Sequence, residues 1–132
     1  IASGGELARI MLVMKDVLSE RDGTPAMVFD EIDEGVSGVA AQRVAEKLAR
    51  LSKKKQVICV THLPQIAAMA DTHFRIEKTE RDGRTYTKVT PLEREGRIRE
   101  LARLHGGANI TDTTLASAAE QLDAASEYKG GI

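Results

Sequence analysis

The chain has 132 residues, a formal net charge of −1 and only 3% aromatic residues, with no tryptophan. That length allows one domain with a real core and sits at the low end for an enzyme. The near-neutral charge sets up no overall basic field toward nucleic acid or membrane, and so few aromatics argue against a platform for stacking bases. The one cysteine, Cys59, lies inside an apolar run without a partner. It reads as a small core residue in a reducing compartment, with no disulfide or zinc pattern. No apolar run approaches the roughly 18 residues of a membrane span, and no signal peptide is visible. A cytoplasmic location without membrane contact is expected.

Ile1-Ala2-Ser3-Gly4-Gly5-Glu6 opens the chain as a small-residue turn. Behind it Leu7, Ile10, Met11, Met14, Val17 and Leu18 recur at three- and four-residue steps, the stripe of an amphipathic helix. This helix should begin near Gly5 and stop by Asp22-Gly23. A Ser-Gly-Gly turn at a helix start exposes backbone N–H groups that can hold an anion, with the Ser3 hydroxyl as one more donor. The same turn also serves as a plain flexible cap. Because the chain begins inside it, without Met, a longer parent protein is expected.

Ala26-Met27-Val28-Phe29 is an apolar run without alternation, so it predicts a strand buried on both faces. It runs straight into Asp30-Glu31. Two acids at the carboxyl edge of a sheet can divide the work of holding a metal and activating a nucleophile. The bland alternative is a strand that stops at a solvated acidic turn. After the turn Asp33-Glu34-Gly35-Val36-Ser37-Gly38, a helix is predicted over 39–52, with Ala41, Val44, Ala45, Leu48 and Leu51 as its core stripe. Arg50 and Lys53-Lys54-Lys55 complement the dipole at its end, a reading preferred to a DNA patch.

Gln56-Val57-Ile58-Cys59-Val60 predicts a second strand buried on both faces, ending in Thr61-His62-Leu63-Pro64. Strand, helix and strand in this order make a βαβ unit with parallel strands. Asp30, Glu31 and His62 should therefore meet on one sheet edge. A short helix over 64–70 follows, then a half-exposed, peripheral hairpin turning at Arg81-Asp82-Gly83-Arg84.

The last third reads as two helices. One carries Ile98, Leu101, Ala102 and Leu104; the other is capped near Asn109-Ile110-Thr111 and carries Leu115, Ala118, Ala119 and Leu122. Arg94, Arg97, Arg99 and Arg103 interleave with Glu93, Glu95 and Glu100, which predicts a solvated, salt-bridged face. Residues 128–132 read as a frayed tail.

Three segments now stand in order: Ser3-Gly4-Gly5-Glu6, the apolar run with Asp30-Glu31, and a strand ending in His62. Their order and spacing resemble the signature loop, Walker B strand and switch histidine of ATP-binding-cassette ATPases. Transporter members usually continue from the acid pair with Pro-Thr-Ser. Here Asp30-Glu31-Ile32-Asp33 and Gly35-Val36-Ser37-Gly38 resemble the chromosome-maintenance (SMC-like) branch, and most of all the RecN family of bacterial double-strand-break repair ATPases. Ala2-Ser3-Gly4-Gly5-Glu6-Leu7, Thr61-His62-Leu63-Pro64-Gln65, Ala67-Ala68-Met69-Ala70-Asp71 and Asp82-Gly83-Arg84-Thr85 extend the likeness over nearly the whole chain.

The resemblance implies an α/β fold, the C-terminal lobe of a P-loop NTPase head with parallel strands, flanking helices and a peripheral hairpin. It implies ATP and Mg²⁺ as ligands, with Asp30 on the metal, Glu31 polarising the attacking water and His62 on the γ-phosphate. Ser3, Gly4, Gly5 and Glu6 would grip ATP bound to a second head in a homodimer, and Asp33 would communicate across that interface. DNA would be bound through the full-length, cytoplasmic and nucleoid-associated bacterial protein. No Gly-x-x-x-x-Gly-Lys-Ser/Thr occurs in the chain, so no P-loop cradles the phosphates. Residues 1–132 alone are thus expected to be inactive, and the strand over 56–60 to keep an unpaired edge that favours dimers, swapping or instability. A transporter nucleotide-binding subunit and a non-catalytic interaction module of the same fold are the rival readings.

Overall fold

Two short strands joined through a helix make the frame on which the candidate site is built. In this computed structural model, which describes residues 4–18 and 23–132, β1 (Ala26–Phe29) and β2 (Gln56–Cys59) pair in parallel, from Ala26 opposite Gln56 to Phe29 opposite Cys59. The ladder continues at both ends. The Gln56 N–H donates to the Pro25 carbonyl at 3.0 Å and the Val60 N–H to the Phe29 carbonyl at 2.9 Å. Between the strands runs α2 (Gly38–Ser52). Its apolar residues fall three and four apart, and Ala41, Val44, Ala45, Leu48 and Leu51 are all buried, as the periodicity requires. Burying a side chain such as Leu51 contributes about 1.5–3 kcal/mol.

Neither strand is buried on both faces. Met27 and Phe29 turn toward the core, while Val28 is 69% exposed and its ladder neighbour Ile58 48% exposed. Successive side chains alternate across a strand, and the helices of this chain cover one side of the two-stranded sheet. The first helix, α1 (Gly4–Leu18), departs from expectation in the same way. Its stripe of Leu7, Ile10, Met11, Met14, Val17 and Leu18 is exposed, and it is Gly5 and Leu12 that are buried. The hydrophobic pattern is real, but the surface it would cover is not supplied by the described residues.

Beyond β2, α3 (Pro64–Met69) begins with Pro64 in its first turn, where a missing N–H costs nothing. Ile66, Ala67, Ala68 and Met69 join the core. β3 (His73–Arg81) and β4 (Arg84–Leu92) form a separate antiparallel sheet closed by a two-residue turn. Asp82 and Gly83 both have positive φ there, 52° and 69°, the conformation that matches the twist of a tight hairpin. Phe74, Ile76, Tyr86 and Val89 are exposed, in keeping with a peripheral hairpin.

α4 (Arg94–Gly106) and α5 (Asp112–Gly130) complete the core with Leu101, Ala102, Ala118, Leu122 and Ala125. Thr111 caps α5 in a reciprocal box with Thr114. The salt-bridged face is largely as expected, with pairs Arg99–Glu95 at 2.9 Å, Arg103–Glu100 at 2.6 Å and Arg94–Asp123 at 2.8 Å. Glu100 and Arg97 are the exceptions: Glu100, though paired, is buried, and Arg97 turns inward. It donates to the carbonyls of Ala67, Ala68 and Ala70 at 3.4, 3.1 and 2.8 Å, closing the C-terminal end of α3. Residues 128–130 are not frayed but continue α5, because both side chains there are tied down. The Tyr128 hydroxyl accepts from Arg50 Nε at 3.0 Å, and Lys129 Nζ pairs with Asp71 at 2.9 Å. The lysine run also faces carbonyls: Lys53 donates to that of Lys129 and the buried Lys55 to that of Thr24.

Candidate functional site at the carboxyl edge of the parallel pair

Where β1 ends, the backbone turns sharply. Glu31 has φ of 62°, a left-handed conformation that a side chain rarely adopts and that persists where the surroundings hold it. The turn closes through the Glu34 N–H to the Glu31 carbonyl at 3.1 Å and the Val36 N–H to the Asp33 carbonyl at 3.3 Å. Ile32 is driven fully into the core and anchors the turn. Asp30, Glu31 and Glu34 are left exposed on its rim, and Asp33 is folded inward.

Asp33 is held by β2's continuation. One of its oxygens, Oδ2, accepts from the Thr61 hydroxyl at 2.6 Å, the His62 backbone N–H at 2.8 Å and His62 Nδ1 at 2.9 Å. Burial alone would push its pKa up, but the bonds from Thr61 and the His62 amide, with the charge of His62, outweigh it and hold the carboxyl below the usual value. Asp33 is therefore an ionised acceptor at neutral pH.

The parallel pairing brings Asp30, Glu31 and His62 together as expected. With Asp33, Glu34, Val60 and Thr61 they line one open depression of about 380 Å³. Beside it, burial and the charges of Asp33 and Asp30 push the Cys59 thiol up to about 12, so it has no nucleophilic role at neutral pH. Among the described residues no three His, Cys, Asp or Glu side chains form a metal cage. Mg²⁺ fits this donor set nonetheless, because it commonly takes one or two carboxylates and completes its shell with water and substrate phosphates.

The start of α1 rests directly on the acidic turn. Arg9 Nη1 donates to the Glu34 carbonyl at 2.7 Å and to that of Ile32 at 3.3 Å. A Cβ on Gly5 would lie 2.8 Å from the Glu31 carbonyl oxygen, so only glycine allows this approach. Gly4 and Glu6 sit at the exposed rim of the same helix start, while Ser3 lies outside the described residues. Arg9 and Thr61 were not singled out from sequence. An arginine inside an apolar helix stripe was the available signal for the first; the second stood only within Thr61-His62-Leu63-Pro64-Gln65, with no role attached to it.

No protein-family model matches the chain. A solved structure from work on ATP-driven dimerization and DNA-stimulated activation of SMC ATPases aligns with a TM-score of 0.58 at 29% identity, covering 82% of this chain and 65% of that one. With the parallel pair, its flanking helices and the hairpin, this defines an SMC-type ATPase head fold. The DNA repair protein RecN of Bacillus subtilis is 47% identical over 129 residues, 98% of this chain and 22% of the relative. RecN of Haemophilus influenzae is 47% identical over 123 residues and that of Streptomyces coelicolor 46% over 124, covering 93% and 94% of this chain. The chain belongs to the RecN family, and it spans about a fifth (22%) of the length of these relatives. No helix among the described residues is long and apolar enough to cross a membrane.

Proposed function

We propose that this chain is the C-terminal lobe of a RecN-type ATPase head, acting in ATP-driven repair of broken DNA by the full-length protein. The observation that carries the reading is the convergence of Asp30, Glu31 and His62 on one depression, braced by Asp33 and by the start of α1. Asp30 would hold Mg²⁺, which when bound neutralises phosphate charge. Glu31, exposed beside it on the strained turn, orients and polarises the attacking water. His62 offers its exposed ring to the terminal phosphate. Positioning and electrostatics supply most of phosphoryl-transfer catalysis, and a general base adds about 10²–10⁴ in rate.

Ser3, the exposed Gly4, the Gly5 backbone and Glu6 would face ATP held by a second head, since the start of α1 already leans on the turn of its own chain. In a two-fold dimer the same surfaces would then close two sites. Because Asp33 bonds within its own chain, any effect it has across such an interface would run through His62. The phosphate cradle must come from another segment, as no P-loop is present. The uncovered faces of β1, β2 and α1 are where a complementary N-terminal lobe would lie. Membership of the RecN family displaces the transporter reading, and the intact acid pair and histidine speak against a module that has lost its chemistry.

Glu31→Gln in the full-length protein tests the assignment. Steady-state ATP turnover should fall by about 10²-fold or more, while ATP-bound dimers persist in size-exclusion chromatography. Unchanged turnover would remove Glu31 from the role of water-activating group.

A further inference from the structure

We infer that Asp33 is a positioning residue that fixes the ring plane of His62 by accepting from Nδ1–H, so that Nε2 is the nitrogen presented to the phosphate, to which it donates in the imidazolium form. The inference rests on the reading of His62 given above and extends it to a residue that itself touches no nucleotide.

An ionised carboxylate only accepts hydrogen bonds. Asp33 Oδ2 already takes the Thr61 hydroxyl at 2.6 Å and the His62 N–H at 2.8 Å, so its third neighbour, Nδ1 at 2.9 Å, must carry the proton. That leaves Nε2 on the far side of the ring. The contrast in exposure gives the contact its purpose. The His62 side chain is 75% exposed and the Asp33 side chain 6%. A ring so open to solvent is otherwise free to turn, and among the described residues Asp33 is its hydrogen-bonding partner. Asp33 is itself immobilised. Ile32 beside it is fully buried, and Thr61 is oriented in turn by the Leu63 N–H, which donates to its hydroxyl at 3.0 Å. The core thus sets Asp33, and Asp33 sets His62. Carboxylates that orient a histidine ring in this way recur wherever one ring nitrogen does chemistry, and their charge supports the imidazolium that donates from both nitrogens.

A double-mutant cycle in the full-length protein tests this, reading kcat and KM for ATP in His62→Ala, Asp33→Asn, Asp33→Ala and the double variant. Thermal melts and binding of a fluorescent ATP analogue confirm that each variant is folded. Asp33→Ala should lower kcat by about tenfold or more with KM little changed. In the His62→Ala background it should cost no more than about twofold, because the two residues act as a unit. Asp33→Asn, which keeps the shape of the side chain but removes the negative charge that supports the imidazolium, should lose kcat as well; it carries the test if Asp33→Ala does not fold. Equal losses in both backgrounds would overturn the inference in favour of a purely structural carboxylate. So would unchanged kcat on replacing Asp33 while His62→Ala is impaired, an outcome that leaves the reading of the site intact. Unchanged kcat in His62→Ala would instead overturn that reading, and the inference with it.

Discussion

Asp33, Glu100 and the half-buried His73 respond to pH in two different ways. Asp33 and Glu100 are carboxylates whose pKa values lie below normal: Asp33 through the bonds described above, which outweigh its burial, and Glu100 chiefly through its hydrogen bond from Arg103. Each stabilises the folded chain above its ordinary pKa and loses that contribution only as pH falls through the lowered folded value. His73 behaves otherwise. Burial first, then the charge of Arg97, pushes it below its ordinary 6.5, with Glu100 opposing, and its Nδ1 is buried without a hydrogen-bond partner. Between 6.5 and the lower folded value the unfolded chain binds a proton that the folded chain refuses, so stability drops as pH falls through that window. Urea midpoints should therefore decline on going from pH 7.5 to 5.5, and His73→Phe should flatten that decline. A slope unchanged in the variant would assign it to another group.

At the scale of elements, the contact between α1 and the acidic turn is the tightest join at the site. A methyl on Gly5 would meet the Glu31 carbonyl oxygen and Glu34 Cβ at 2.8 Å and the Glu34 carbonyl oxygen at 3.0 Å, mostly backbone atoms that cannot swing aside. A methyl on Gly4 would meet Glu31 Oε2 at 2.9 Å, the far end of a flexible side chain. Gly5→Ala should therefore destabilise by about 1–3 kcal/mol and Gly4→Ala by clearly less, compared by denaturant unfolding; equal losses would mean that α1 is not held against the turn. This join was not legible in the sequence, where Gly4-Gly5 reads only as a flexible or anion-binding turn. The βαβ unit was legible, because the stripe of α2 is buried by the same chain that encodes it. The tie between Asp33 and His62 spans 29 residues, and no periodicity reports a side-chain bond of that kind. Arg97 was hidden for a similar reason: four arginines interleaved with glutamates look alike until one of them turns inward to the end of α3.

For the whole molecule, the apolar pattern of β1, β2 and α1 was read correctly as pattern and wrongly as burial. The stripe of α2 is buried and the hairpin half-exposed, as expected. Val28 and Ile58 on the sheet, the stripe of α1 from Leu7 to Leu18, and Phe74 and Ile76 on the hairpin all remain exposed. Hydrophobic periodicity states that a face is to be covered, not which chain covers it. Uncovered apolar surface on this scale, beside an outer edge of β2 that is unpaired among the described residues, supports the proposal that this is a lobe completed by another. The acids and histidine of the site are in the same position, assembled but lacking a loop to cradle phosphate. The most direct measurement is ATP turnover by residues 1–132 alone and after reunion with the remainder of a RecN-type chain that carries the P-loop. Turnover should be at background for the segment and appear on reunion. Hydrolysis by the segment alone, or none after reunion, would contradict the assignment.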